Sequence, residues 1–199
     1  MFVQVIEGKV ADRDGIRRQF ERWAAELQPT AVGFLGSTGG VADDGRGIFL
    51  ARFESPETAA ANSAKPAQGE WWAETEKCFE GEVQFTDSTD VDVFLAGGSD
   101  AATFVQVMKG TGDRARLQAM DARFAEHAAG WRPELLGGLR VWTGPDSYVE
   151  AAYFTSEAEA REGEQKPPPP GLAEHQGEFE ALMQGVEFID LTDPVLNSP

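Results

Sequence analysis

The sequence contains one domain-length pattern twice, and this repeat limits the possible folds more than any other feature of the chain. The residues Phe-Val-Gln-Val at positions 2–5 return at positions 104–107, a shift of 102 residues (104 − 2). Further identical pairs keep the same order at shifts between 101 and 104: Gly8 and Gly110, Phe20 and Phe124, Pro29 and Pro133, Gly33 and Gly137, Phe53 and Phe154, Ser55 and Ser156, Phe85 and Phe188. A nearly constant shift over about a hundred residues indicates a duplicated domain rather than a short solenoid unit.

The composition is that of an acidic globular protein. The chain has 34 acidic and 17 basic residues, and it lacks a basic patch that would favour nucleic acid or an anionic membrane as a partner. The single cysteine, Cys78, excludes an internal disulfide. Met1 leads directly into the first predicted strand, and no apolar run approaches the roughly 20 residues of a membrane span. We therefore expect a cytoplasmic protein.

Each copy predicts the element order β-α-β-β-α-β, the ferredoxin-like unit. In the first copy, the apolar residues Ile16, Phe20 and Trp23 lie on one helical face, and Ser55-Pro56 is typical of a helix start. The first copy has predicted strands at 2–7, 31–38, 48–54 and 82–86 and helices at 12–28 and from 55 onward. The second copy has predicted strands at 103–109, 135–143, 147–154 and 186–191 and helices at 113–130 and 156–183, and the prolines at 167–170 are expected to break the second of these helices.

We expect two domains, residues 1–96 and 103–196, joined by a flexible linker at positions 96–100. Residues 91–95 alternate like an additional strand, echoed weakly by 194–196, and such a strand could pair with the sheet edge of the other copy. A four-stranded sheet with both helices on one face leaves its other face to be covered. The predicted fold is therefore α+β, with two ferredoxin-like repeats packed sheet to sheet in a monomer or a homodimer.

These features resemble the dimeric α+β barrel superfamily, and within it the antibiotic-biosynthesis-monooxygenase-like domains. The resemblance depends on the element order, the Phe-Val-Gln-Val first strand, the strand-to-helix junction at 53–57, and a second helix that carries Trp71 and Trp72. It covers nearly the whole chain, so the two copies would form an internal pseudo-dimer. It implies a pocket between the helices and the sheet of one unit. It also implies several possible activities, because the superfamily includes cofactor-free oxygenases, haem-degrading enzymes, haem peroxidase-like enzymes and isomerases.

The only two histidines are candidate catalytic residues, and both belong to the second copy. His127 lies 104 positions after Trp23, and His175 lies 103 positions after Trp72. Imidazole in place of indole on a predicted inward helical face favours a pocket in the second copy, where it could act as acid or base. The alternative for each is a hydrogen-bonded interior histidine or one at a helix edge.

Four other residues of the second copy are candidate substrate-binding residues: Gln106, Trp142, Tyr153 and Arg140. Gln106 repeats Gln4, so it could instead be a shared internal hydrogen-bonding group. Trp142 and Tyr153 could equally be core aromatics. Arg140, matched to Gly36, could bind an acidic or phenolate substrate, or it could form a salt bridge.

The expected function is a cofactor-independent monooxygenase, or a related enzyme, acting on a small aromatic or hydrophobic molecule. The alternative is a non-catalytic small-molecule-binding or scaffold protein. Haem binding or degradation is a weaker option, because the asparagine, tryptophan and histidine set of the haem-degrading relatives occurs in neither copy. We expect no cofactor and no metal, since no phosphate-binding loop or metal-ligand spacing occurs.

Overall fold

The computed structural model describes all 199 residues, and the chain divides into two compact units. The first unit is Met1–Val91 together with Asp193–Pro199, and the second is Asp92–Thr192. Relative to the predicted domains 1–96 and 103–196, residues 92–96 are grouped with the second unit and residues 193–196 with the first. No helix of the structure has both the length and the apolar composition needed to cross a bilayer.

The first unit is a five-stranded antiparallel sheet of order β10-β2-β3-β1-β4 with its helices. Its elements are β1 Phe2–Val10, α1 Arg13–Arg22, β2 Phe34–Val41, β3 Arg46–Phe53, α2 Pro56–Ser63, α3 Pro66–Thr75, β4 Phe79–Ser88 and β10 Val195–Asn197. Asp12 caps α1, because its Oδ1 accepts a hydrogen bond from the Gly15 amide at 2.8 Å. One π-helical turn, Trp23–Leu27, continues α1.

The second unit is a five-stranded antiparallel sheet of order β5-β7-β8-β6-β9 with its helices. Its elements are β5 Val91–Leu95, β6 Phe104–Thr111, α4 Arg114–Trp131, β7 Leu135–Trp142, β8 Ser147–Phe154, α5 Glu157–Glu164, α6 Pro170–Ala173, α7 Gln176–Met183 and β9 Glu187–Leu191. The break that the prolines at 167–170 predict in the second helix is confirmed. The segment 156–183 forms three helices, because these prolines lack the amide hydrogens that a continuous helix needs.

The two additional strands pair as the sequence predicts. β5 follows the first repeat and forms an edge strand beside β7 of the second. β10 follows the second repeat and pairs with β2 of the first, with Leu196 opposite Thr38. The fold class is thus confirmed as α+β, with two ferredoxin-like repeats that each bear a five-stranded antiparallel sheet.

The strand register corrects one part of the sequence alignment between the repeats. Arg140 lies opposite Glu150 of β8, just as Gly39 lies opposite Phe49 of β3, and both members of the pair are shifted by 101 residues (140 − 39 and 150 − 49). Arg140 therefore corresponds to Gly39 rather than to Gly36. The error arose from matching Gly33 with Gly137. Gly33 precedes β2 in a turn with φ +62°, whereas Gly137 lies inside β7.

The helix caps correct the alignment in the same way. Asp113 caps α4 through the Arg116 amide as Asp12 caps α1 through the Gly15 amide, at a shift of 101 residues (113 − 12). By this shift His127 corresponds to Glu26, and Phe124 corresponds to Trp23. The match of His127 to Trp23 is therefore wrong.

Candidate functional site

A cavity of about 530 Å³ lies in the second unit. Its apolar lining comes from β5, β6, β9 and the helices α4 and α7, and consists mainly of aromatic and methionine side chains: Phe94, Met108, Phe124, Phe179, Met183 and Phe188. Of these, Phe179 and Phe188 are about half exposed. This volume and this apolar character are typical of small-molecule pockets in proteins.

Polar side chains from three neighbouring strands also line this cavity. Gln106 on β6, Arg140 on β7 and Glu150 on β8 all contribute to the lining. Successive side chains of a strand point to opposite sheet faces. The shared lining therefore places these three residues on one face of the sheet, within the otherwise apolar cavity.

Arg140, Glu150 and Asp121 form an ionic triad in which Arg140 and Glu150 are buried and Asp121 is partly exposed. The Arg140 Nε donates to Glu150 Oε2 at 2.7 Å, and its two terminal nitrogens donate to both carboxylate oxygens of Asp121 at 2.6 and 3.1 Å. The Arg140 side chain is 3% exposed and the Glu150 side chain 10%. Both of the Arg140 nitrogens that contact Glu150 reach its Oε2.

The environment of Glu150 makes its carboxyl group a weak acid. Burial, opposed by Arg140 and assisted by the negative charge of Asp121, raises its pKa from 4.5 to about 7. The two carboxylates raise the pKa of Arg140, which keeps the guanidinium charged. Burial also raises the pKa of Tyr148, whose ring lies 5.2 Å from the Arg140 Cζ. Glu150 is therefore the group in this cavity that can exchange a proton near neutral pH.

A second polar group holds Gln106 in place. Its amide nitrogen donates to Asp190 Oδ1 at 3.0 Å, and the other oxygen of Asp190 accepts from Arg161. The Arg161 guanidinium lies 5.2 Å from the Phe104 ring. Asp190 on β9 thus orients the side-chain amide of Gln106. The contact uses the amide nitrogen, so the side-chain oxygen of Gln106 can accept another hydrogen bond.

Two of the six candidate residues, Gln106 and Arg140, line the cavity, and Trp142 and Tyr153 do not. Trp142 packs in a buried cluster with Leu117 and Tyr148, and its indole nitrogen donates to Asp92 Oδ2 at 2.7 Å. Tyr153 is 1% exposed and alternates with the cavity residues Ala152 and Phe154, so it projects to the other face of β8.

The two histidines also lie outside the cavity lining. His175 is the residue before α7, 38% exposed, with Nδ1 3.7 Å from a Glu178 oxygen. The break in the predicted helix places it there, at a helix edge. His127 is half-buried on α4, next to the backbone of Gly171. The catalytic role of the histidines stays a prediction, and the cavity geometry gives it no support.

Sequence reasoning missed Asp121 and Glu150. Glu150 is the one charged residue within the strand Tyr-Val-Glu-Ala-Ala-Tyr-Phe at 148–154. An acid inside an otherwise apolar strand is rarely left unpaired, so this pattern could have identified it. Asp121 gives no such indication, because acids are common on the exposed faces of helices.

Comparison with known proteins supports the fold. No family model matches the chain, and no curated protein matches it. Among solved structures, a candidate monooxygenase from Lactobacillus acidophilus superposes with a TM-score of 0.71 at 13% identity, with 99% of each chain covered. A candidate monooxygenase from Fusobacterium nucleatum superposes with a TM-score of 0.75 at 9% identity, covering 99% of this chain and 94% of the other.

An anthrone oxidase-like protein superposes with a TM-score of 0.65 at 10% identity, covering 99% of this chain and 92% of that one. These likenesses span the whole of both repeats. The chain therefore has the ferredoxin-like fold of these structures, which is the fold that the resemblance predicts. At these identities the likeness establishes the fold, and the function has to be argued from the site.

Proposed function

We propose that the second unit is the active unit of a cofactor-independent monooxygenase that acts on a small aromatic molecule with an ionisable proton. The observation that carries this proposal is the Glu150 carboxyl group, with a pKa raised to about 7, in the lining of a cavity of about 530 Å³. A general base works best when its pKa lies near the working pH. The similarity in fold to the anthrone oxidase-like protein supports the choice of reaction class.

The charge balance of the cavity selects among possible substrates. The sequence analysis offered an anionic substrate as one partner for Arg140, but Arg140 already contacts two carboxylates. An anion would have to compete with Asp121 and Glu150 for the guanidinium. We therefore infer that the substrate enters as a neutral molecule with an acidic ring CH₂ group, such as an anthrone, and donates a proton of this group to Glu150.

The proposed chemistry begins with proton transfer to Glu150. The resulting aromatic anion is electron-rich, and Arg140 stabilises it once Glu150 is neutral. Reaction of the anion with dioxygen oxidises a ring CH₂ group to a carbonyl group. One oxygen atom enters the product and the other leaves as water, with the two hydrogens of the CH₂ group, so the reaction balances without an added reductant.

The test uses anthrone as the probe and measures oxygen consumption. We expect the wild-type protein to consume oxygen faster than buffer, and Glu150→Gln to lower the rate by about 100-fold or more, which is the usual contribution of a general base. Glu126→Gln, at an exposed position of α4, is the matched control and should keep the wild-type rate. Equal rates for Glu150→Gln and wild type, or no rate above buffer, would contradict the proposal.

A non-catalytic binding protein is the second candidate function. The triad favours it in one respect, since Asp121 and Glu150 already satisfy the Arg140 guanidinium without a ligand. Under this alternative, calorimetry would detect anthrone binding to the wild-type protein while oxygen consumption stays at the buffer rate.

A further inference from the structure

The first unit contains a separate cavity with a different chemistry. Its volume is about 310 Å³, within the range of small-molecule sites. Aromatic rings dominate its lining: Phe20, Trp23, Phe34, Phe49, Trp71 and Trp72. None of the residues that line it carries a formal charge, and its polar lining comes from glutamine, asparagine and serine.

Two of the three indole nitrogens beside this cavity, those of Trp23 and Trp71, are already hydrogen-bonded. Trp23 Nε1 donates to Gln68 Oε1 at 2.9 Å, and Trp71 Nε1 donates to the backbone carbonyl oxygen of Gln19 at 2.7 Å. These bonds fix the ring orientations and leave the ring faces as the binding surface. Trp72 lies 5.1 Å from Phe85 and 6.0 Å from Trp71 between ring centroids.

Ser37 on β2 is a buried polar group in this aromatic lining. It is 8% exposed, and its Oγ accepts one long contact of 3.5 Å from the Asn197 side chain. Because Ser37 accepts in that contact, its hydroxyl hydrogen can donate to another acceptor. Asn62, which also lines the cavity, is instead occupied by the backbone of Val32.

We propose that this cavity is a second ligand site, for an uncharged planar aromatic molecule that carries a carbonyl group. Planar rings gain from stacking and edge contacts with the indole and phenyl groups. An ion would lose its hydration here without a charged partner, which disfavours charged ligands. The carbonyl group accepts a hydrogen bond from Ser37. This site is independent of the reaction proposed for the second unit.

The repeats supply a matched pair of variants for testing this site. Ala51 on β3 and Ala152 on β8 occupy equivalent positions, opposite Gln4 and Gln106 respectively. Ala51 lines the first cavity and Ala152 lines the second. Leucine at either position fills part of one cavity and leaves the other cavity as it was.

The probe is 2-acetylnaphthalene, a neutral two-ring ketone, and binding is measured by titration calorimetry. We expect Ala51→Leu to weaken binding by about tenfold or more, as expected when about 1.4 kcal/mol of binding free energy is lost. Ala152→Leu alters only the cavity of the second unit, so it should keep the binding step that Ala51→Leu weakens. The reverse order, or equal binding by all three proteins, would overturn the proposal.

A milder variant covers the case in which Ala51→Leu fails to fold, which thermal unfolding would reveal. Ser37→Ala removes only the hydroxyl group. It should weaken the binding of 2-acetylnaphthalene severalfold and leave the binding of naphthalene unchanged, because naphthalene has no acceptor for Ser37. Equal effects on both ligands, or no effect on either, would exclude the role of Ser37. No detectable binding of either ligand to the wild-type protein would refute the site.

Discussion

The two repeats place different chemistry at three equivalent positions of the same fold. In the first unit, Phe20 stacks on Phe49 with ring centroids 4.7 Å apart and an interplanar angle of 14°, and Gly39 lies opposite Phe49. In the second unit the same positions, 101 residues later, hold the ionic triad of Asp121, Glu150 and Arg140.

The three exchanges depend on one another. An arginine in place of Gly39 in the first unit would need the space that the stacked rings occupy. Even a methyl group on Gly39 would overlap the Phe49 ring. Placing the aromatic stack in the second unit would replace Glu150 by phenylalanine and so remove the carboxyl group that titrates near neutral pH. The repeated sequence gives both units the same backbone. The side chains at these three positions give the second unit a buried carboxyl group with a raised pKa.

The largest expected effect follows from removing the cation of the triad. Arg140→Met leaves the buried Glu150 without its cationic partner and also removes the partner of the partly exposed Asp121. We expect a loss of about 3–5 kcal/mol of unfolding free energy at pH 8. Urea denaturation at pH 8 measures it. The triple variant Asp121→Phe, Arg140→Gly, Glu150→Phe installs the aromatic stack of the first unit and should recover most of this loss. If the unfolding free energy of Arg140→Met lies within about 1 kcal/mol of the wild-type value, Glu150 is not buried as described.

The next effect is a dependence of stability on pH that Glu150 causes. Its pKa is raised from 4.5 to about 7 in the folded protein, so the folded state binds the proton more tightly than the unfolded state. This contribution is fully present below pH 4.5 and is lost as the pH rises through 7, a change of about 3 kcal/mol.

Denaturation of the wild type and of Glu150→Gln between pH 4 and pH 8 isolates this contribution. The free energy of unfolding of the wild type should fall relative to that of the variant as the pH rises. Parallel curves for the two proteins would show that Glu150 has an ordinary pKa.

A smaller effect is expected from Gly39→Ala in the first unit. The added methyl group overlaps the Phe49 ring and should displace the stack with Phe20, at a cost of about 1–3 kcal/mol. Thermal unfolding measures the loss. Gly130→Ala is the matched control, because a methyl group there meets no neighbouring atom within 4 Å, and in a helix it should be neutral or slightly stabilising.

The smallest effect is expected at the surface of the first unit. Arg22 and Glu26 form an exposed ion pair with an N–O distance of 2.9 Å, at the helix position that corresponds to His127 in the second unit. Glu26→Gln should change the unfolding free energy by less than about 0.5 kcal/mol. A larger loss in urea denaturation would show that this helix face is more tightly packed than its exposure indicates.

The sequence predicted the repeated fold better than it predicted the site. Phe-Val-Gln-Val, the cap at Ser55 and the alternation at 147–154 depend on local backbone chemistry, so they located the strands and helices to within a few residues. The pairing of residues 91–95 and 194–196 with the sheets was also confirmed.

The site residues depend on strand register and on contacts between distant elements, which local patterns do not contain. Tyr153 and Trp142 are aromatic, as a binding residue would be, but the first points to the other sheet face and the second is held by Asp92. Asp121 and Glu150 are 29 residues apart (150 − 121) and meet only through Arg140. Their common role becomes visible only once the register of β7 and β8 is known.

The most direct test of the difference between the repeats is the titration of the Glu150 carboxyl group by NMR, with ¹³C-labelled glutamate and the Glu150→Gln variant for assignment. We expect a carboxyl resonance that titrates near pH 7 in the wild type and is missing from the variant. A Glu150 resonance that titrates near pH 4.5 would contradict the account, because the second unit would then hold no base suited to neutral pH.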